Sequence, residues 1–236
     1  FKFGGASIKD ADSVKNVVSI LERYRDEKLI IIVSAMGKTT NALEKVVGAH
    51  NDGDTHSARQ LLYDIKTTHY RMMDALFESG DEVYALVNDT FVESEWVLDE
   101  PPHENYDFMY DQIVCVGGLT TTLGRGGSDY TAAIFSFLGN AESMTIWKDV
   151  PGVLTADPRI FDNATKLDRL SYKEAIEMTY YGASVIHPKT IKPLQNKSIP
   201  LYVKSFVNPG GEGTVISGDG ADTYPPIVTI ERNQAL

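Results

Sequence analysis

Phe1-Lys2-Phe3-Gly4-Gly5-Ala6-Ser7 opens the chain as a short strand end, a lysine and a pair of glycines. Its meaning depends on the neighbouring segments. Over residues 12–25, Val14, Val17, Val18, Leu21 and Tyr24 recur at helical spacing and give one apolar face. Residues 29–33 are an unbroken aliphatic, β-branched run, which predicts a buried strand. Strand, helix and strand in that order predict parallel pairing with the helix laid on a sheet face.

The alternation continues along the chain. Residues 41–50, 57–77 and 82–98 are expected as helices, the second carrying Leu61, Leu62, Ile65, Tyr70, Met73 and Leu76 inside. Residues 128–138 read as a helix after a glycine-rich turn, and 143–147 and 201–206 as strands. Residues 171–181 read as a helix with Ser171 and Glu174 in capping-box spacing. Asn208-Pro209-Gly210-Gly211 and Pro225-Pro226 punctuate the last part. The expectation is an α/β chain with a mainly parallel central sheet and helices on its faces.

Composition narrows the function classes. With 42% hydrophobic and 23% charged residues, the 236-residue chain can bury a core and is not of the disordered class. Lys and Arg total 22 against 33 Asp and Glu, a net charge of −11. That balance argues against a broad nucleic-acid footprint but leaves room for a local anion site. No apolar run nears the ~20 residues of a membrane span, and no signal-like start is visible. Cys115 alone excludes an internal disulfide framework and a cysteine zinc site, and a reducing, cytoplasmic setting is expected.

Four glycine- or hydroxyl-rich segments stand where strands end. In Lys2-Phe3-Gly4-Gly5-Ala6-Ser7, glycines let backbone N–H groups approach an anion and Lys2 adds a full charge. The same residues also suit a plain strand-to-helix turn. In the run from Thr120 to Thr131, Gly124, Gly126 and Gly127 surround Arg125 before the cap-forming Ser128 and Asp129. An arginine fork framed by glycines favours a carboxylate or phosphate over a mere connection. The run from Trp147 to Arg159 gathers Lys148, Asp149, Asp157 and Arg159 around a Pro151-Gly152 turn, equally readable as solvated charges. Ser34-Ala35-Met36-Gly37-Lys38-Thr39-Thr40-Asn41 could line a ligand, or Thr40 or Asn41 could cap the next helix. Cations, backbone donors and carboxylates on neighbouring loops are what phosphoryl transfer requires.

Lys2-Phe3-Gly4-Gly5, the stretch from Thr122 to Thr131, Trp147-Lys148-Asp149-Val150-Pro151-Gly152 and the stretch from Tyr181 to Pro188 resemble, in order, the motifs of aspartate kinase catalytic domains. These belong to the amino-acid kinase superfamily. The resemblance implies a three-layer α/β/α sandwich of the carbamate kinase-like type over residues 1–236. It implies transfer of the γ-phosphate of ATP to the side-chain carboxylate of L-aspartate, the first step toward lysine, threonine and methionine. Lys2 and Asp129 take the catalytic positions, Asp129 orienting Lys2. Lys2, Gly4, Gly5, Ala6, Lys148, Asp149, Leu154, Arg159 and Ser184 fall toward ATP. Thr40, Arg125, Gly126, Gly127 and Ser128 fall toward L-aspartate. Mg2+ is expected mainly on the nucleotide phosphates, without a dedicated protein metal site. Neither nucleic acid nor membrane is an expected partner. A homo-oligomer is left open, with residues 57–98 as a surface for it. His187 reads as structural, ahead of Pro188 in a turn.

The sequence departs from the family pattern in three places. Ala6 replaces a usual threonine, and Ser184 replaces a lysine found near the nucleotide in many members. Val114-Cys115-Val116-Gly117 resembles the approach to a motif whose glutamate binds the amino group of aspartate, yet Gly118 onward already belongs to the next motif. Several tens of residues usually lie between. The expectation is that a segment is missing at Gly117-Gly118, with a true deletion as the alternative. The regulatory ACT region usual in the family after this domain is also expected to be absent. Two other readings stay open: another amino-acid kinase superfamily enzyme, or a non-catalytic nucleotide- or effector-binding subunit.

Overall fold

The computed structural model describes residues 1–114, 127–180, 186–220 and 227–228. The chain divides into two compact units: Phe1–Ile8, Ser13–Ser34 and Leu123–Leu236 form the first, Lys9–Asp12 and Ala35–Thr122 the second. Among the described residues no helix is long and apolar enough to cross a membrane.

The first unit holds a six-stranded sheet of β1 (Lys2–Phe3), β2 (Ile32–Val33), β3 (Met144–Lys148), β4 (Arg169–Ser171), β5 (Leu201–Ser205) and β6 (Thr214–Ser217). Their order is β2-β1-β3-β5-β6-β4. Among these described strands only the β5–β6 pair is antiparallel. Four helices go with this sheet: α1 (Ala11–Glu22), α6 (Gly127–Leu138), α7 (Tyr172–Tyr180) and α8 (Pro188–Asn196). The second unit is helical, with α2 (Thr39–Asn51), α3 (Thr55–Leu76), α4 (Glu82–Asp99) and α5 (Tyr106–Val114). The expected α/β architecture, with a mainly parallel sheet and helices on its faces, is what the chain adopts.

Side-chain alternation sorts the strands into two faces. Phe3 and Trp147 are register partners and point to one face. There they join Val17 and Ile20 of α1 and Phe206, with the two rings stacked at 6.0 Å and 3° between planes. Met144, Ile146, Leu201 and Val203 point to the other face, under Ala132 and Ala133 of α6 and Ile191 and Leu194 of α8. Lys2, opposite Ile146 in register, belongs to this second face. A two-residue strand cannot hold itself in place by its ladder. Phe3 and Trp147, 0% and 1% exposed, anchor it, since truncating such rings typically costs ~3–5 kcal/mol.

Several local expectations meet the structure closely. Ser171 and Glu174 form the capping box: Ser171 N and Oγ donate to Glu174 Oε2 at 2.8 and 2.6 Å, and Glu174 N donates back to Ser171 Oγ at 3.2 Å. His187, expected in a turn ahead of Pro188, is the N-cap of α8: Lys189 N donates to its Nδ1 at 3.2 Å. Helix α8 itself, with Pro188 at its start and Pro193 inside, hid behind its prolines. Helix α5 and the short strands β4 and β6 were also not expected.

One expectation is corrected. Residues 29–33 are not a buried strand. Only Ile32–Val33 enters the ladder, and Ile30, Ile31 and Val33 are 49%, 43% and 51% exposed. β2 is the last strand on its side of the described sheet, so it lacks the two-sided cover that makes an apolar run a core strand.

The second unit packs around Val46, Val47, Leu62, Ile65, Phe91, Leu98 and Ile113. α3 begins at Asp54, whose carboxylate accepts from Ser57 N at 3.0 Å. His50, at the end of α2, is 1% exposed, and among the described residues neither ring nitrogen has a hydrogen-bond partner. Burial therefore pushes its pKa below the ordinary 6.5. The neutral ring is favoured in the fold, whereas the unfolded chain takes up a proton near 6.5. Stability is thus full above that pH and falls as pH drops below it. Denaturant unfolding at pH 7.5 and 5.5 should show this loss. His50→Leu should flatten it and add about 1–3 kcal/mol at neutral pH, because it removes two unsatisfied buried nitrogens.

Candidate active site

The parallel strands β1 and β3 end side by side, and α6 begins above the face that carries Lys2. Lys148 lies two residues beyond Ile146 on β3, so alternation puts it on the same face as Lys2. Asp129 sits in the first turn of α6. These three side chains meet. Lys2 Nζ lies 2.7 Å from Asp129 Oδ1, and Lys148 Nζ lies 3.8 Å from Asp129 Oδ2. Side-chain exposure is 7% for Lys2, 9% for Asp129 and 22% for Lys148, so the cluster is largely withdrawn from water.

Two ammonium groups thus share one carboxylate and leave one positive charge over. Burial lowers the pKa of Lys148; Asp129 opposes that fall and Lys2 adds to it, while Asp149 helps to hold the charge. The first turn of α6 adds the positive end of the helix dipole. A site of this kind favours an incoming anion, because the charge is already oriented and partly desolvated.

The glycine turn closes the same corner. Ser7 N donates to Gly4 O at 2.9 Å, and Gly5–Ile8 coils as one tight helical turn. A Cβ on Gly4 would stand 3.3 Å from Lys2 Nζ, so the bare backbone at Gly4 makes room for the ammonium group. Ser7 is 1% exposed, and among the described residues its hydroxyl has no hydrogen-bond partner. Ser34, just past β2, shares a 2.8 Å hydrogen bond with Ser128 in the first turn of α6.

The remaining sequence candidates fall at varied places. Gly127 and Ser128 start α6. Asp149 follows Lys148 and is exposed, and Leu154 is half-buried in a bridge to Lys166. Arg159 is 82% exposed and its guanidinium grips Asp157, with Nη2 to Oδ2 at 2.7 Å and Nε to Oδ1 at 3.0 Å. It does not join the Lys2–Asp129–Lys148 cluster. Gly5 and Ala6 lie in the turn. Thr40 belongs to the second unit, in the first turn of α2. That helix is capped at Lys38 without a side-chain bond, so neither Thr40 nor Asn41 is its cap. Arg125, Gly126 and Ser184, and the Gly117-Gly118 junction, lie outside the described residues.

Ser7 and Ser34 stood in the glycine- and hydroxyl-rich segments but were not singled out. Their position after a strand end was the available signal; their partners across the chain were not readable. Asp129→Asn should be costly, because it leaves the buried Lys2 ammonium without its counter-charge and Lys148 with only the exposed Asp149. We expect a loss of about 3–5 kcal/mol in denaturant unfolding, with part of it recovered by added sulfate.

Comparison with known proteins identifies the family. Residues 1–205 match the model of the amino acid kinase family. Aspartokinase 1, chloroplastic, of Arabidopsis thaliana is 30% identical over 312 aligned positions, covering 100% of this chain and 55% of that protein. Those 312 positions exceed the 236 residues here by 76, so that relative carries internal stretches with no counterpart in this chain. Aspartokinase 2 of Bacillus subtilis is 32% identical over 224 positions, covering 86% of this chain and 55% of that protein. The chain therefore spans about half the length of the curated relatives it matches. Among solved structures, Escherichia coli aspartokinase III in complex with aspartate and ADP superposes with a TM-score of 0.78 at 22% identity, over 94% of this chain and 64% of that one. That likeness is one of fold. With the family model spanning most of its length and crossing both compact units, the chain belongs to the amino acid kinase family.

Proposed function

We propose that the chain transfers the γ-phosphate of ATP to the side-chain carboxylate of L-aspartate, giving 4-phospho-L-aspartate. The observation that carries this reading is the carboxylate of Asp129 shared by Lys2 and Lys148, which leaves a fixed positive charge where two strands and a helix start converge. The aspartokinase relatives, one of them solved with aspartate and ADP, supply the substrate pair.

The chemistry suits the residues. A β-carboxylate with a reference pKa of about 4 is ionised at neutral pH and needs no general base. Its oxygen forms a bond to Pγ, while the bond from Pγ to the β,γ-bridging oxygen breaks and ADP leaves with the electron pair. The barrier is chiefly repulsion between two anions, which cations and aligned N–H groups relieve. Lys2 faces that charge, and Asp129 holds it in place. Gly4 and Gly5 bring backbone to the phosphates, with Ala6, Lys148, Asp149, Leu154, Arg159 and Ser184 around the nucleotide. Thr40, Arg125, Gly126, Gly127 and Ser128 hold aspartate. Among the described residues no three His, Cys, Asp or Glu side chains are arranged as a metal site. The same reading puts Mg2+ mainly on the nucleotide phosphates.

The same reading takes residues 1–236 as one catalytic domain whose Gly117-Gly118 junction stands where relatives carry a further segment. The 76-position excess of the Arabidopsis alignment supports an internal difference of that kind. It also keeps a homo-oligomer through residues 57–98, supported by Tyr63, Leu86 and Trp96 at 63%, 65% and 66% exposed. A reducing, cytoplasmic setting fits the single Cys115.

The test is hydroxylamine trapping of the acyl phosphate, with aspartate set against glutamate, acetylglutamate and carbamate. Aspartate-dependent hydroxamate is expected. A folded protein that binds ATP by calorimetry yet forms none would overturn the proposal. Lys2→Ala should lower turnover at least 100-fold while leaving aspartate affinity nearly unchanged, because its charge counts most in the transition state. Arg125→Ala should chiefly raise KM for aspartate.

A further inference from the structure

We infer that Lys148 is a second catalytic cation, which binds the phosphoryl group in transit together with Lys2. This rests on the phosphoryl-transfer reading above and deepens it. Three observations carry the inference.

The first is geometric. Lys2 and Lys148 lie on adjacent parallel strands and on the same face, and both reach the carboxylate of Asp129. The 2.7 Å contact of Lys2 is a close ion pair, whereas the 3.8 Å contact of Lys148 is loose. Lys148 is therefore the cation with donors to spare. An ammonium group carries three, and one long contact commits little of that capacity.

The second is charge. A structural ion pair needs one cation for one carboxylate. Here a second ammonium is drawn into the same pocket, at 22% exposure, where it meets Lys2 as well as Asp129 and the flanking Asp149. Burial and Lys2 both work against its charge. An arrangement that is unfavourable when empty becomes favourable when an anion with two or more charges enters, and the transferring phosphoryl group is such an anion.

The third is what surrounds the pair. The start of α6, the bare backbone of Gly4 beside Lys2 Nζ and the unpartnered buried hydroxyl of Ser7 mark the same corner as a place for a polar ligand. Lys148 transfers no proton. It neutralises phosphoryl oxygens while the carboxylate–phosphorus bond forms and the bond to ADP breaks. An ordinary nucleotide contact would help substrate and transition state alike; a cation placed against the reacting group is felt most where charge spreads over its oxygens.

The experiment compares wild type with Lys148→Met and Lys148→Arg in aspartate-dependent hydroxamate formation. Calorimetric ATP affinity and melting temperature are measured alongside. Lys148→Met keeps the Lys2–Asp129 pair, so its melting temperature should stay near that of wild type. Its kcat should fall about 100-fold with KM for aspartate within threefold, and Lys148→Arg should recover at least tenfold of that loss. Wild-type kcat/KM, which reports the free enzyme, should decline at alkaline pH below the ordinary lysine range, and the decline should move upward in Lys148→Arg. Lys148→Met with kcat within threefold of wild type overturns the inference while leaving the proposed function standing. If wild type itself forms no hydroxamate, the proposed function fails separately, and Lys148 is judged on ATP: a Kd in Lys148→Met within twofold of wild type removes it from the phosphate site, and a Kd at least tenfold weaker keeps it there.

Discussion

A carboxylate buried between two lysines constrains the rest of this structure. Asp129 has to be held within contact of Lys2, and Lys2 lies in a strand of only two residues. Placing charges out of water costs several kcal/mol per ion unless partners are well placed. The fold therefore supplies rigid supports on both sides. On one, Phe3 stacks against Trp147 under α1 and fixes the strand. On the other, Ala132 and Ala133 belong to the core cluster by which α6 lies against the sheet, so that its first turn brings Asp129 to Lys2.

That arrangement makes the site a store of unbalanced charge. A structure built for stability alone would match cation and anion one to one, or use neither. Here the two cations and their carboxylate stand with a glycine turn beside Lys2, a buried serine hydroxyl in that turn, and a helix start that carries Asp129. Each of these features is common alone, since strand-to-helix turns often use glycine and caps often use serine. Their convergence at the ends of neighbouring parallel strands is what links them to anion chemistry, where α/β sheets place their ligands.

Legibility in the sequence followed the range of the interactions. The Ser171–Glu174 capping box and the helices from Thr39 to Asp99 were readable, because their signals lie within a turn or two of the chain. Lys2, Lys148 and Asp129 were readable as chemically apt residues on glycine-rich segments. The burial of residues 29–33 was misjudged, because an apolar run looks the same whether its strand is central or at an edge. Arg159 drew attention as a cation, but its local partner Asp157 takes up its guanidinium at the surface. Helix α8 was hidden by prolines that normally announce a turn.

By itself the sequence determined the alternation of strands and helices, the acidic balance, the lone cysteine and the residue types from which an anion site could be made. Only the tertiary structure decided that two of its lysines share one carboxylate. That contact depends on the register of β1 against β3 and on the landing point of α6, set by a core of side chains distant in sequence. A shift of one residue in either strand would turn its lysine to the opposite face. No local pattern encodes that parity, so the charge excess that defines the site emerges only when the sheet is assembled.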